Sequence, residues 1–262
     1  MKLLKFDTFS FFLSILFCII IYFFYREVFE NNLKNQFILF LLPLIWPGIA
    51  HGSLDLEIAK KLNLVNNVTK LSLFLLSYIL LIALFICIWM WSSNLGLLIF
   101  FLISIYHFGS SDSLLYDNKT LYKLEIFIRG CLPLSLPSYF YKNNVIEILN
   151  YLFIDSFFIE KILFILNIAL LLCLIIFLII TLINLRSKLL EGIYVIFFID
   201  VVLIVICFII FEPFVSFCLY FCFFHSLRHL INEKESLGFS LSKTIIKTLP
   251  FTIIATLTFF LT

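Results

Sequence analysis

"LYKLEIFIRGCLPLSLPSYF" (residues 121–140) decides how this chain is threaded. Glu125, Arg129, Pro133 and Pro137 interrupt an otherwise apolar run. Two readings fit: a helix over 122–140 that crosses a bilayer, or a broken, re-entrant segment. Non-helical backbone survives at membrane depth only where protein or a cavity covers it. Everything downstream changes sides according to which reading holds.

The chain around this segment reads as membrane protein throughout. Of 262 residues, 63% are hydrophobic and 13% charged, against about a quarter charged in a soluble domain. Thirty-five Phe and only seven Gly suit a surface that faces lipid. The net charge of +2 and the lack of any Lys/Arg cluster give no footprint for nucleic acid or an acidic partner. The first apolar run follows Lys2 and Lys5 but lacks a small-residue cleavage site, so it reads as a retained span.

Apolar runs of spanning length, roughly 17–25 residues, predict helices near 9–25, 36–52, 71–91, 95–110, 122–140, 162–184, 191–211, 213–231 and 245–262. The expected fold is all-α: a polytopic transmembrane helix bundle of about 8–9 spans, forming a single integral membrane domain over 1–262. Loop charges at Lys60, Lys61, Lys70, Lys119, Lys123, Arg186, Lys188 and Lys234 join Lys2 and Lys5 in favouring a cytoplasmic N-terminus in the cell (inner/plasma) membrane. Arg26, Lys34, Lys142 and Lys161 lie on the opposite side.

This topology puts the chain's four histidines in one leaflet. His51, His107, His225 and His229 each fall toward the cytoplasmic end of a span. Without a crossing at 122–140 the eighth helix would invert, separating His225 and His229 from the other two unless another segment restored the parity. His225 and His229 are four residues apart, so an α-helix projects both from one face. Strongly polar groups inside a bundle usually face its interior and mark function. The four histidines are therefore candidate metal ligands, and neutral imidazole suits iron, zinc, copper or nickel. The bland alternative is that each ring hydrogen-bonds a neighbouring helix.

Four imidazoles leave a metal's charge uncompensated, which draws attention to nearby acids. Asp55 follows His51 by four residues and Asp112 follows His107 by five. Either could orient an imidazole through its second nitrogen, or simply sit at a helix end. Arg228, held between two candidate ligands, is expected to pair with Asp55, Asp112 or Glu125 or to snorkel to headgroups. Glu125 and Arg129 have the spacing of an intrahelical ion pair.

Seven cysteines sit scattered in apolar segments without a C-x-x-C, and each reads as a small buried hydrophobe. Cys218 and Cys222 share a face with His225 and His229, so a mixed Cys/His site stays open. No H-E-x-x-H, G-x-S-x-G or P-loop occurs.

Taken in order, "GIAHGSLD" (48–55), "YHFGSSD" (106–112), "RGCLPLSLP" (129–137) and "FHSLRH" (224–229) use every histidine in the chain. This set resembles the Brp/Blh family of membrane beta-carotene 15,15'-dioxygenases, over about residues 40–231. The resemblance implies cleavage of beta-carotene with O2 at its central 15,15' double bond to give two all-trans-retinal molecules. It implies ferrous iron, Fe(2+), on His51, His107, His225 and His229, and a retinal-accepting rhodopsin in the same cell. Family members often carry a further histidine where this chain has Leu56, and a more acidic second motif than "GSSD".

The implied chemistry needs no catalytic residue beyond the metal centre, with Asp55, Asp112 and Arg228 as supporting candidates. Trp46, Tyr106, Phe108, Phe221, Phe223 and Phe224 neighbour the histidines in sequence. Tyr106 and Phe224, each adjacent to a candidate ligand, are the favoured substrate-lining side chains. Two alternatives use the same histidines: a membrane b-haem electron-transfer protein, and a metal or proton transporter.

Overall fold

A computed structural model describes residues 4–30, 32–114, 119–188 and 192–261, and every described element is helical. Lys2 and the expected helix boundaries at 191 and 262 lie outside the described residues. Six helical segments are long and apolar enough to cross a bilayer among the described residues: Phe6–Phe29, Leu33–Lys61, Val68–Trp91, Ser93–Asp112, Ser156–Leu182 and Pro213–Leu237. Tyr194–Ile210 is a shorter apolar helix. The protein is a polytopic helical membrane protein.

The first helix, α1 (Leu4–Phe29), is followed by α2 (Leu33–Pro43), whose start is capped by the Asn32 side chain accepting from Asn35 N–H at 3.1 Å. The expected helix over 36–52 is not continuous. Pro43 and Pro47 fall inside it, and Trp46 adopts an extended conformation (φ −146°, ψ 118°), as the residue before a proline tends to do. The chain opens into a π turn at Leu44–Gly48 and a 3-10 turn at Ile49–Leu54 before α3 (Asp55–Lys61).

Asn67 caps α4 (Val68–Trp91) by accepting from Lys70 N–H at 2.8 Å, and α5 (Ser93–Asp112) follows at once. No residue of α4 is buried, as expected of a helix that meets lipid on nearly every side. The deciding segment forms one unbroken helix, α6 (Lys119–Phe140), despite Pro133 and Pro137. At 1.5 Å per residue its 22 residues run about 33 Å.

A reciprocal pair of glycines sets α5 against α6. A methyl placed on Gly109 would lie 1.9 Å from the Ile126 carbonyl oxygen, and one on Gly130 would lie 1.9 Å from that of Ile105. Each glycine thus admits the other helix's backbone, the way small residues bring membrane helices together. This close approach buries Ile128, Cys131 and Leu132 of α6 and places its Glu125 and Arg129 deep in the bundle.

The chain continues through a short amphipathic helix that is not among the expected spans, α7 (Lys142–Asn150), then α8 (Ser156–Lys188) and α9 (Gly192–Ile210). Pro213 opens α10 (Pro213–Tyr220). A π turn at Phe221–Ser226 joins it to α11 (Leu227–Leu237), which ends at Gly238 in the left-handed region (φ +65°). Last comes α12 (Leu241–Leu261), packed against the turn that carries His51.

The interior is unusually polar. Asp7, Gln36, Asp112, Glu125, Arg129, Asp200, His225 and Arg228 are all buried, while large apolar side chains cover the outside. Ionisable groups in a membrane bundle face inward and pair with one another, and the helices supply those partners.

Candidate metal centre

His51 is delivered by the irregular stretch that the prolines force. Its Nδ1 sits against the Gly48 carbonyl oxygen, one turn back. His107 lies near the end of α5, on the same helix as the Gly109 crossing. His225 sits in the π turn and His229 in α11. Such π turns in α-helices are frequent at functional sites.

The four rings converge. Ring centroids are 6.1 Å apart for His51 and His107, 5.6 Å for His51 and His225, and 5.2 Å for His107 and His225. His229 lies 5.6 Å from His51, 6.1 Å from His107 and 6.3 Å from His225. One nitrogen each from His51, His107 and His225 falls within 4.8 Å of the others, a group able to hold a metal ion. No cysteine joins that group among the described residues. Cys218 and Cys222 are buried free thiols.

Hydrogen bonds select which nitrogen is free. His225 Nδ1 lies 3.0 Å from Asp112 Oδ1, while its Nε2 is buried with no partner. A buried, unpartnered imidazole nitrogen is costly unless something accepts its lone pair. With Nδ1–H donated to a carboxylate, Nε2 carries that lone pair, the arrangement found where histidine binds a metal. The carbonyl contact on His51 Nδ1 has the same effect. His229 Nδ1 is 3.3 Å from Glu233 Oε2, an ion-pair distance without hydrogen-bond geometry. The donor set and the orphaned nitrogen therefore fit a divalent transition metal.

Glu233 went unremarked in the sequence although it follows His229 by four residues, the spacing that singled out the histidine pair. Asp112 does orient an imidazole, but that of His225, 113 residues away, rather than its neighbour His107. Tyr220 OH donates to the other Asp112 oxygen at 2.7 Å. Asp55 instead accepts from Tyr78 OH at 2.7 Å.

Arg228 is fully enclosed and binds none of the three expected carboxylates. Its Nε donates to Asp7 Oδ2, its Nη2 to Asp200 Oδ2 at 2.9 Å, and its Nη1 to the Asp112 backbone carbonyl at 2.9 Å. Its Cζ lies over the Phe224 ring, 4.1 Å from the centroid. Arg129 bridges Glu125 at 2.7 Å and Asp200 at 3.0 Å, so the expected intrahelical pair extends into a network. Removing one partner of a buried ion pair typically costs about 3–5 kcal/mol.

The favoured lining aromatics land differently. Tyr106 is 69% exposed on the outside of α5, and Phe224 is buried between Arg228 and Phe11. The side chains that meet the imidazoles are Phe108, 4.7 Å from His225, and Phe221, 5.2 Å from His51. An apolar groove of about 470 Å3 runs between Ile45 and Trp46 on one side and Ile245, Leu249, Thr252 and Ile253 of α12 on the other.

Fold and site together define a polytopic membrane protein with a polyhistidine centre inside its helix bundle. The model of the family "BCD: Beta-carotene 15,15'-dioxygenase" matches residues 42–262, and the chain belongs to this family. It is 33% identical over 113 residues to the beta-carotene 15,15'-dioxygenase of the uncultured marine bacterium 66A03, a match covering 43% of this chain. The chain spans about two fifths (41%) of the length of that relative. No solved structure matches it.

Proposed function

We propose that this protein cleaves beta-carotene at its central 15,15' double bond with O2, giving two molecules of all-trans-retinal, and that His51, His107, His225 and His229 hold the ferrous iron the reaction uses. The observation that carries this reading is the convergence of imidazoles from three separate stretches, with His225 Nε2 buried and unpartnered among them. Bound iron would supply the redox chemistry that lets dioxygen react with a closed-shell alkene. The residues do the rest. Gly48 and Asp112 hold Nδ1 of His51 and His225, and Glu233 stands 3.3 Å from that of His229. Phe108 and Phe221 pack against His225 and His51. Both oxygen atoms end in the two aldehydes, so no protein nucleophile is required.

A C40 hydrocarbon dissolves in the bilayer core and enters from the side. The groove between Trp46 and α12 is walled almost wholly by apolar side chains and lies beside the segment carrying His51, as ligand sites for such molecules require. The loop charges and the shared position of the four histidines support a nine-span reading, in which α6, α9 and α12 cross as well and all four histidines lie in the cytoplasmic leaflet of the cell membrane with the N-terminus on that side. The helices then form one integral membrane domain. Retinal released there would serve a retinal-binding protein, such as a rhodopsin, in the same membrane.

A b-haem carrier fits less well, since a porphyrin needs a slot between two axial imidazoles, whereas three nitrogens here lie within 4.8 Å of one another. The test is direct. Bacteria that accumulate beta-carotene should lose their orange colour, and gain retinal, when they express this chain under air. Unbleached cells containing correctly inserted protein would count against the activity. A Soret band in purified protein would favour haem.

A further inference from the structure

We propose that Asp200 and Asp7, on helices remote from the histidines in sequence, are positioning residues for the metal centre: acting through Arg228, they fix Asp112 and hence the ring of His225. The proposal rests on the metal reading above and extends it to residues that touch no ligand.

The chain of contacts is continuous and buried. Thr8 Oγ1 donates to Asp200 Oδ1 at 2.7 Å. Asp200 Oδ2 accepts from both Arg228 and Arg129, at 2.9 and 3.0 Å. Asp7 takes Arg228 Nε. Arg228 then binds the Asp112 backbone carbonyl, and the Asp112 carboxylate binds His225 Nδ1. Arg129 continues to Glu125, whose second oxygen accepts from Leu114 N–H at 3.0 Å, just past the end of α5. The C-terminal end of α5, which carries Asp112, is thus tethered from both sides. The planar guanidinium of Arg228 meets three partners with separate nitrogens, a fork a lysine cannot reproduce.

One further observation points from this network to a cation. Among the described residues, four fully buried carboxylates (Asp7, Asp112, Glu125, Asp200) face two guanidiniums (Arg129, Arg228), a formal excess of two negative charges. Four neutral imidazoles around a divalent ion would leave two positive charges, which this network offsets together with Glu233 beside His229. Asp7 lies in α1, outside the 42–262 segment that matches the family, so the network draws in a helix beyond that segment. Partners that orient metal-bound histidines typically govern affinity by about 10–100-fold.

The test uses full-length protein in detergent, titrated anaerobically with Co(II), whose visible bands report imidazole coordination. Wild type should take up one Co(II) and gain thermal stability. Asp200→Asn and Asp7→Asn should bind Co(II) about 10–100-fold more weakly, with altered bands and unchanged helicity by circular dichroism. Thr8→Val, nearly isosteric, should fall between them and wild type, and carries the test if Asp200→Asn does not fold. Variants that lose stability yet keep wild-type Co(II) affinity and bands would show a purely structural network and overturn the proposal alone. A wild-type chain that takes up no Co(II) would remove the metal reading with it.

Discussion

His225 Nδ1 and Asp112 Oδ1 lie 3.0 Å apart, joining the π turn ahead of α11 to the C-terminal end of α5 across 113 residues of sequence. The contact fixes the ring's orientation and leaves its buried Nε2 free.

Asp112→Asn keeps the shape of the side chain but removes its charge. Iron affinity and retinal formation should fall by roughly 10–100-fold, with little change in the amount of inserted protein. His225→Ala should abolish both iron content and bleaching. Elemental analysis of purified protein beside retinal yield checks the pair, and a fully active His225→Ala would remove it from the ligand set.

Cys222 touches the space beside Gly48 but joins no metal-holding group among the described residues. Cys222→Ala should leave iron content unchanged and lower stability by about 1 kcal/mol. A large loss of iron would instead reveal a thiolate ligand.

Glycines at three positions should respond unequally. Gly109→Ala and Gly130→Ala drive a methyl into the facing backbone, so each should cost about 1–3 kcal/mol or more and displace His107 with α5. Gly52 stands next to His51, yet an added methyl there meets nothing within 4 Å. Gly52→Ala should keep activity, and thermal unfolding in detergent would show the ordering.

Chelation should strip activity without dissolving the fold, because the hydrophobic exterior and the ion pairs remain. Fe(II) returned under reducing conditions should restore retinal formation, whereas Zn(II), which has no redox chemistry, should occupy the site silently. Recovery with Zn(II) would contradict an oxygen-dependent reaction.

Glu233→Gln tests the fourth ligand apart from the other three. Losing the carboxylate beside His229 Nδ1 should weaken iron binding by no more than the Asp112 change does, since His229 lies outside the tight three-nitrogen group. A greater loss would place His229 first among the ligands.

Six of the expected spans and the histidine cluster were legible because each leaves a one-dimensional trace: length and apolarity for the helices, and position along apolar helices for His51, His107, His225 and His229. The partner of Arg228 was not. A contact between Asp7 and Arg228 has no period, and nearby acids such as Asp55 look equally eligible from sequence. Asp200 did carry a signal, being a single acid inside the apolar run "VIFFIDVVLIV" (195–205), which marks a bundle-facing charge. The break at Trp46 was also written in Pro43 and Pro47, but hydropathy alone passes over prolines. Tyr106 shows why adjacency in sequence is a weak guide: it follows the outer face of α5 and is exposed, whereas its neighbour His107 joins the cluster.

The Asp7–Arg228 pair has a consequence for biogenesis. At about 5–20 residues per second, the ribosome delivers Arg228 on the order of 10–45 s after Asp7, the two being 221 positions apart. Until then α1 enters the translocation machinery with an acid that has no counterpart. The four imidazoles therefore cannot be locked together by this network before His225, Arg228 and His229 have all been made.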